Sequence, residues 1–144
     1  MSTDREFSDK TFAKLIDTIN QKNTDELKNL FSVNTQNNVE NFEDSVNHLV
    51  NFFSTQTLVF EKTDGVGSTR NYEYGKMANE VFTTYNVKSN EQKYYFAIEM
   101  TKFNTFDDNN NGILCLYIIN AKNWHEDYVY YGDSEAGIHI VSDY

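Results

Sequence analysis

Cysteine is nearly missing from this chain. The one thiol, Cys115, has no second cysteine with which to close an intrachain disulfide. That usage fits a reducing compartment. Cations are sparse as well: 12 Lys and Arg stand against 22 Asp and Glu, for a formal net charge of −10. They are scattered singly, so the basic stripe of a nucleic-acid binder is not there, and an anionic membrane is a poor partner. A basic protein or a cation suits the charge better. Long apolar runs are also lacking. The opening MSTDREFSDKTF is polar and charged, without the roughly 7–15 apolar residues of a signal peptide. No window reaches the apolar length of a membrane span. The chain as given is expected to be soluble and cytoplasmic, or exported if a leader has been removed. Proline is absent, so the turns fall to glycine, asparagine and aspartate.

What remains is ample for a core. A chain of 144 residues suits one domain, taken as 1–144. Ser8 or Asp9 can cap a first helix. Behind them Phe12, Leu15, Ile16 and Ile19 recur at the spacing of one buried helical face. After NQKN, Asn23 or Thr24 can cap again, with Asp25 and Glu26 in the first turn and Leu27, Leu30 and Phe31 turned inward. A third helix starts near Asn41 and buries Phe42, Val46, Leu49, Val50 and Phe53. Beyond Ser54 the period changes to that of strands. TQTLVFEKT, RNYEYGK, NEVFTTYNVKS and QKYYFAIEMTKF read as strands, and GILCLYIINA, apolar on both faces, reads as a central one. Tyr128–Tyr131 and Ile138–Val141 are the last two candidates. Helices first and strands after give an α+β domain, with N-terminal helices on a curved antiparallel sheet.

Two stretches imitate ligand loops. DDNNNG places Asp107, Asn109, Asn111 and Gly112 at positions 1, 3, 5 and 6 of a calcium loop, but position 12, which needs a carboxylate, is Ile118. The residues suit a tight hairpin. DGVGST lacks the lysine of a phosphate-binding loop and joins two strands, so it reads as a hairpin tip. His48 is expected to be exposed on the third helix, His125 to lie in a polar loop and His139 to alternate with Ile138 and Ile140. No two share metal-ligand spacing. Cys115 reads as core, and no nucleophile motif surrounds any serine. No catalytic residue, cofactor or metal site is therefore assigned. Aromatics make up 15% of the chain. On strands one set belongs to the core, and the opposite set can face solvent and contact a protein. Tyr95, Trp124, Tyr128, Tyr130 and Tyr131 are the candidates.

FAKLIDTINQKNTDELKNLFS resembles the opening of nuclear-transport-factor-2-like domains. YEYGK, YNVKSNEQKYYFAIEM, GILCLYIINA and YYGDSEAGIHI resemble a bacterial family in that superfamily, the domain of unknown function 5104. The resemblance runs from about Phe12 to Val141. It implies a strongly curved antiparallel sheet forming a cone. Many members of the family look like exported lipoproteins, and the superfamily includes enzymes with carboxylate, Tyr or His groups in the cone. Glu80 and Glu99 are the strand carboxylates that could serve such a cavity.

Size, charge and the missing catalytic set point to a non-catalytic acidic binding domain. The concrete version is an immunity protein that covers a basic bacterial toxin. No nucleic acid and no membrane insertion are expected, and a homodimer through the sheet face is allowed. The alternatives are a small-molecule-binding or enzymatic cone and an extracytoplasmic ligand-binding lipoprotein.

Overall fold

A computed structural model describes residues 3–61, 66–90, 92–123 and 135–141. Helix α1 spans Asp4–Asn20. Its cap is Thr3, whose Oγ1 accepts from the Glu6 amide at 3.1 Å. The helix thus begins a turn before the expected Ser8 or Asp9, because TDRE supplies the paired Ser/Thr and Glu of a capping box upstream of the apolar stripe. Helix α2, Thr24–Asn29, is capped by Asn23 as expected. Helix α3, Val33–Asn38, was not legible in advance, since VNTQNN has no apolar period. Ser32 caps it by accepting from the Thr35 amide at 3.0 Å. Helix α4, Phe42–Phe52, follows Asn41 in left-handed conformation.

The strands are β1 (Leu58–Phe60), β2 (Gly67–Glu73), β3 (Lys76–Ser89), β4 (Gln92–Asn104), β5 (Gly112–Asn120) and β6 (Gly137–Val141). They form one sheet in the order β1-β3-β4-β5-β6, with β2 also on β3. The fold is α+β, but the sheet is mixed where antiparallel pairing was expected. β6 pairs with β5 in parallel. Nor is the sheet strongly curled. The long strands are interrupted by only two register shifts, at Asn79/Glu80 and Glu99/Met100, and β1 and β6 stay at opposite ends of the strand order.

Two turns differ from expectation. RNYEYGK is strand, as expected, through Glu73, and then reverses, with Tyr74 (φ 49°) and Gly75 (φ 77°) closing a two-residue hairpin between β2 and β3. DGVGST is not a hairpin tip. Both β1 and β2 run antiparallel to β3 along the edge that β4 leaves open, so the two do not pair with each other as a hairpin. Gly67 lies opposite Phe82, whose ring occupies the space a Cβ would take. The hairpin expectation for DDNNNG agrees with the structure, where a 3₁₀ turn at Asp108–Asn110 joins β4 to β5. The proposed strand at Tyr128–Tyr131 lies outside the described residues.

Helices α1, α2 and α4 cover one face of the sheet. Phe12, Leu15, Ile19, Leu49 and Phe53 meet Val81, Tyr85, Phe96, Met100 and Leu116, all at most 2% exposed. Rings fill the middle: Phe12 stacks on Tyr85 at 3.9 Å and meets Phe60 and Phe96 edge-on at 5.0 and 5.7 Å. The buried Tyr85 hydroxyl donates to Asp9 Oδ1 at 2.8 Å and accepts from Ser8 Oγ at 2.6 Å, tying α1 to β3. Burial chiefly, with the Asp9 carboxylate, pushes that phenol upward. On the other face Ala97, Cys115 and Ile119 are also buried, so β5 is covered on both sides as its sequence indicates.

Asp4 holds the start of α1 to the sheet. It accepts from Asn79 Nδ2 at 2.9 Å and Lys102 Nζ at 3.4 Å, with Arg70 at 3.8 Å. Partial burial raises the carboxyl pKa. Hydrogen bonds from Asn79, Ser68 and Lys102, with the Lys102 charge, outweigh it and hold the pKa below the ordinary 3.8. A depressed pKa gives stability that is present above the unfolded-state value and lost as pH falls through the folded-state value. Urea midpoints of the native protein should therefore fall more steeply between about pH 5 and pH 2 than those of Asp4→Asn. Parallel curves would contradict the clamp.

Candidate functional site

The two-residue turn after β2 does more than reverse the chain. A left-handed residue at the first turn position directs its side chain away from the sheet, so Tyr74 is 95% exposed. The β4–β5 connection lies next to it. The Thr105 amide donates to the Met77 carbonyl at 2.8 Å, and Met77 N–H donates to Thr105 Oγ1 at 2.6 Å. That lattice sets Phe106, 38% exposed, beside the hairpin, followed at once by exposed Asp107 and Asp108. The loop is itself ordered by Asn104 Oδ1, which accepts from the Phe106 and Asp107 amides, both at 2.9 Å. One end of the sheet thus presents Tyr74, Phe106 and two carboxylates on a hydrogen-bonded frame. A rigid aromatic gives contact area at low entropic cost, and neighbouring carboxylates favour a cationic partner.

The DDNNNG loop is not built as a cation cage. Asp107 Oδ1 accepts from the Asn109 amide at 3.1 Å, and Oδ2 accepts from Asn34 Nδ2 at 2.9 Å. Each oxygen thus accepts a hydrogen bond that shapes the loop or ties it to α3. Among the described residues no group of three or more His, Cys, Asp or Glu is placed to hold a metal.

The expected contact residues do not gather into one surface. Tyr95 is half-buried in a shallow depression of about 200 Å³ with Glu61, Lys88 and Lys93, at the other end of β4 from Phe106. Trp124, Tyr128, Tyr130 and Tyr131 lie outside the described residues, as does His125. His48 is exposed as expected. His139 stacks on Tyr117 at 4.5 Å, and its Nε2 meets the Glu135 carbonyl at 2.9 Å. Cys115 donates weakly to Glu99 Oε2 at 3.6 Å. Burial, then the Glu99 charge, pushes the thiol up to about 12, so it stays protonated and unreactive at neutral pH.

Glu99 faces away from the helix-covered side. It lines an open groove of about 330 Å³ with Asn34, Asn38, Asn110 and Leu114. Glu80 lies on the same face, opposite Thr101, and does not line the groove. The interior between helices and sheet, where a cone cavity would lie, is instead occupied by Phe12, Phe53, Phe60, Tyr85 and Phe96.

Sequence reasoning missed Tyr74 and Phe106. The signal for Tyr74 was present in EYGK: a glycine at the second position of a two-residue turn between β-rich runs places the residue before it at the tip. Phe106 carried no comparable signal, because its position depends on Thr105 pairing with a residue on another strand.

The chain belongs to the family described as a domain of unknown function (DUF5104), which it matches over residues 14–121. No curated protein matches it. Among the described residues no helix is long and apolar enough to cross a membrane.

Proposed function

We propose that this member of the DUF5104 family is a non-catalytic protein-binding domain that contacts a basic partner through Tyr74, Phe106, Asp107 and Asp108. The observation that carries the reading is the exposure of two aromatic rings beside two carboxylates on a frame fixed by the Thr105–Met77 hydrogen bonds. The net charge of −10 adds long-range attraction for a cationic surface. An immunity protein that neutralises a toxin by covering its active site is the concrete form. Kinship to nuclear-transport-factor-2-like domains belongs to this reading too, supported by the helix pair that precedes the sheet.

A photo-reactive phenylalanine analogue at position 74 tests the reading in cells, with the same group at Val59 as control. Val59 is 64% exposed on β1. The expected outcome is one basic protein joined reproducibly from position 74 and not from position 59. Its yield should drop several-fold when salt rises from about 0.05 to 0.5 M. Equal labelling from both positions contradicts the assignment, as does a salt-insensitive yield.

A further inference from the structure

The outer edge of β2 has no partner strand among the described residues, since β2 pairs with β3 alone. Ser68–Glu73 are exposed without a break. The direction of each backbone group follows from the turn. A two-residue hairpin makes its flanking residues, Glu73 and Lys76, a mutually hydrogen-bonded pair, and such pairs alternate along the ladder. Glu73, Asn71, Thr69 and Gly67 therefore turn their N–H and C=O toward β3. Ser68, Arg70 and Tyr72 turn theirs outward. Met77, opposite Tyr72, agrees: its N–H and C=O go to Thr105 on the β4 side.

Edge strands are usually guarded by proline, lysine or a bulge. β2 has neither residue, and its pairing with β3 shows no register shift. The charges also favour a like partner. In a chain of net charge −10, the segment Gly67–Lys76 carries Arg70 and Lys76 against Glu73 alone. A second copy meets no concentrated negative charge on this strand.

Outward groups must meet outward groups, which leaves few two-fold registers. Centring on Arg70 sets guanidinium directly opposite guanidinium, an unfavourable cross-strand pair. Centring on Thr69 sets Tyr72 opposite Val66, and centring on Tyr72 sets Arg70 opposite Tyr74, so both run the pairing off the strand. Centring on Asn71 sets Arg70 opposite Tyr72 twice, on the same face, where the guanidinium can lie over the ring. It also sets Asn71 opposite Asn71 and Thr69 opposite Glu73. We infer that two copies of this chain associate by antiparallel β2–β2 pairing centred on Asn71, joining their sheets edge to edge. The contact is short, so the dimer exchanges with monomer and is not obligate. The inference does not rest on the toxin-type partner above, because it is argued from the backbone groups of Ser68, Arg70 and Tyr72 alone. It moves the homodimer from the sheet face to the sheet edge.

Cysteine scanning of the full chain reads the register. Two copies of position 71 form a non-hydrogen-bonded pair with Cα atoms about 4.5 Å apart, within disulfide reach. Two copies of position 69 are offset by four residues, roughly 13 Å. Native Cys115 is buried and adds little background. Under mild oxidation Asn71→Cys should form a reducible covalent dimer at least tenfold faster than Thr69→Cys. Arg70→Pro removes an outward N–H without touching the β2–β3 ladder. It should weaken association at least tenfold in sedimentation against Arg70→Ala, which controls for the lost bridge to Asp4. Equal cross-linking at positions 69 and 71 overturns the inference. So does a native chain that sediments as monomer at every concentration, or an Arg70→Pro variant that associates like Arg70→Ala.

Discussion

Phe12→Ala is expected to lower the free energy of unfolding by about 3–5 kcal/mol. Phe12 is fully buried and sits where α1 meets the sheet. Its ring lies flat on Tyr85 at an interplanar angle of 10° and meets Phe60 and Phe96 at 79° and 88°. Removal forfeits the transfer free energy of a phenyl group and leaves a void that three rigid rings cannot close. The loss extends to a polar pair, because the Tyr85 ring is held between Phe12 and the hydroxyl bonds to Ser8 and Asp9. Phe12→Leu keeps most of the volume and should cost about 1–1.5 kcal/mol. Urea unfolding followed by circular dichroism measures both. A Phe12→Ala loss under about 1 kcal/mol would mean that this ring cluster is not the centre of the core.

Gly112→Ala should cost roughly 2–4 kcal/mol, from two sources that a second glycine separates. Gly112 has φ +113°, a conformation that side chains rarely adopt. A Cβ there would also lie 3.0 Å from the Leu30 carbonyl oxygen and 3.1 Å from the Ser32 nitrogen. Both atoms are backbone, and both are fixed. Leu30 O accepts from the Ile113 amide and Ile113 O from the Ser32 amide, each at 2.9 Å, a short parallel bridge between the α2–α3 link and the start of β5. Gly75 has φ +77° with nothing within 4 Å of its Cβ position. Gly75→Ala carries the backbone strain alone, about 1–2 kcal/mol. The two variants measured in parallel should differ, with Gly112→Ala the worse. Equal losses would show that the close approach of the helix link to β5 contributes nothing.

The features legible in the sequence were those written in local periodicity. Phe12, Leu15, Ile16 and Ile19 marked α1, and the alternation at Val81, Thr83, Tyr85 and Val87 marked the buried face of β3. The double-sided apolar run of β5 gave its central place. What failed depended on distant partners. Helix α3 has a polar sequence and is held by Ser32 and by Thr35 Oγ1, which donates to the Leu114 carbonyl at 3.2 Å. The parallel pairing of β6 with β5 is a matter of strand direction, which strand alternation does not encode. DGVGST looked like a reversal because two glycines are turn residues, but the strands it joins both follow β3. The contact surface failed for a similar reason. Tyr95 was chosen by alternation on one strand, whereas Tyr74 and Phe106 share one end of the sheet because hydrogen bonds between Thr105 and Met77 tie the loop to the hairpin.

Protein recognition through the hairpin end is the claim on which the functional account stands. Calorimetric titration of the partner joined from position 74, purified and tested against purified variants, addresses it most directly. The account predicts at least tenfold weaker binding, about 1.4 kcal/mol, for Tyr74→Ala combined with Phe106→Ala, with the melting temperature little changed. Val59→Ala should bind as the native chain does. Native affinity in the double variant, or an equal loss at Val59, would contradict it.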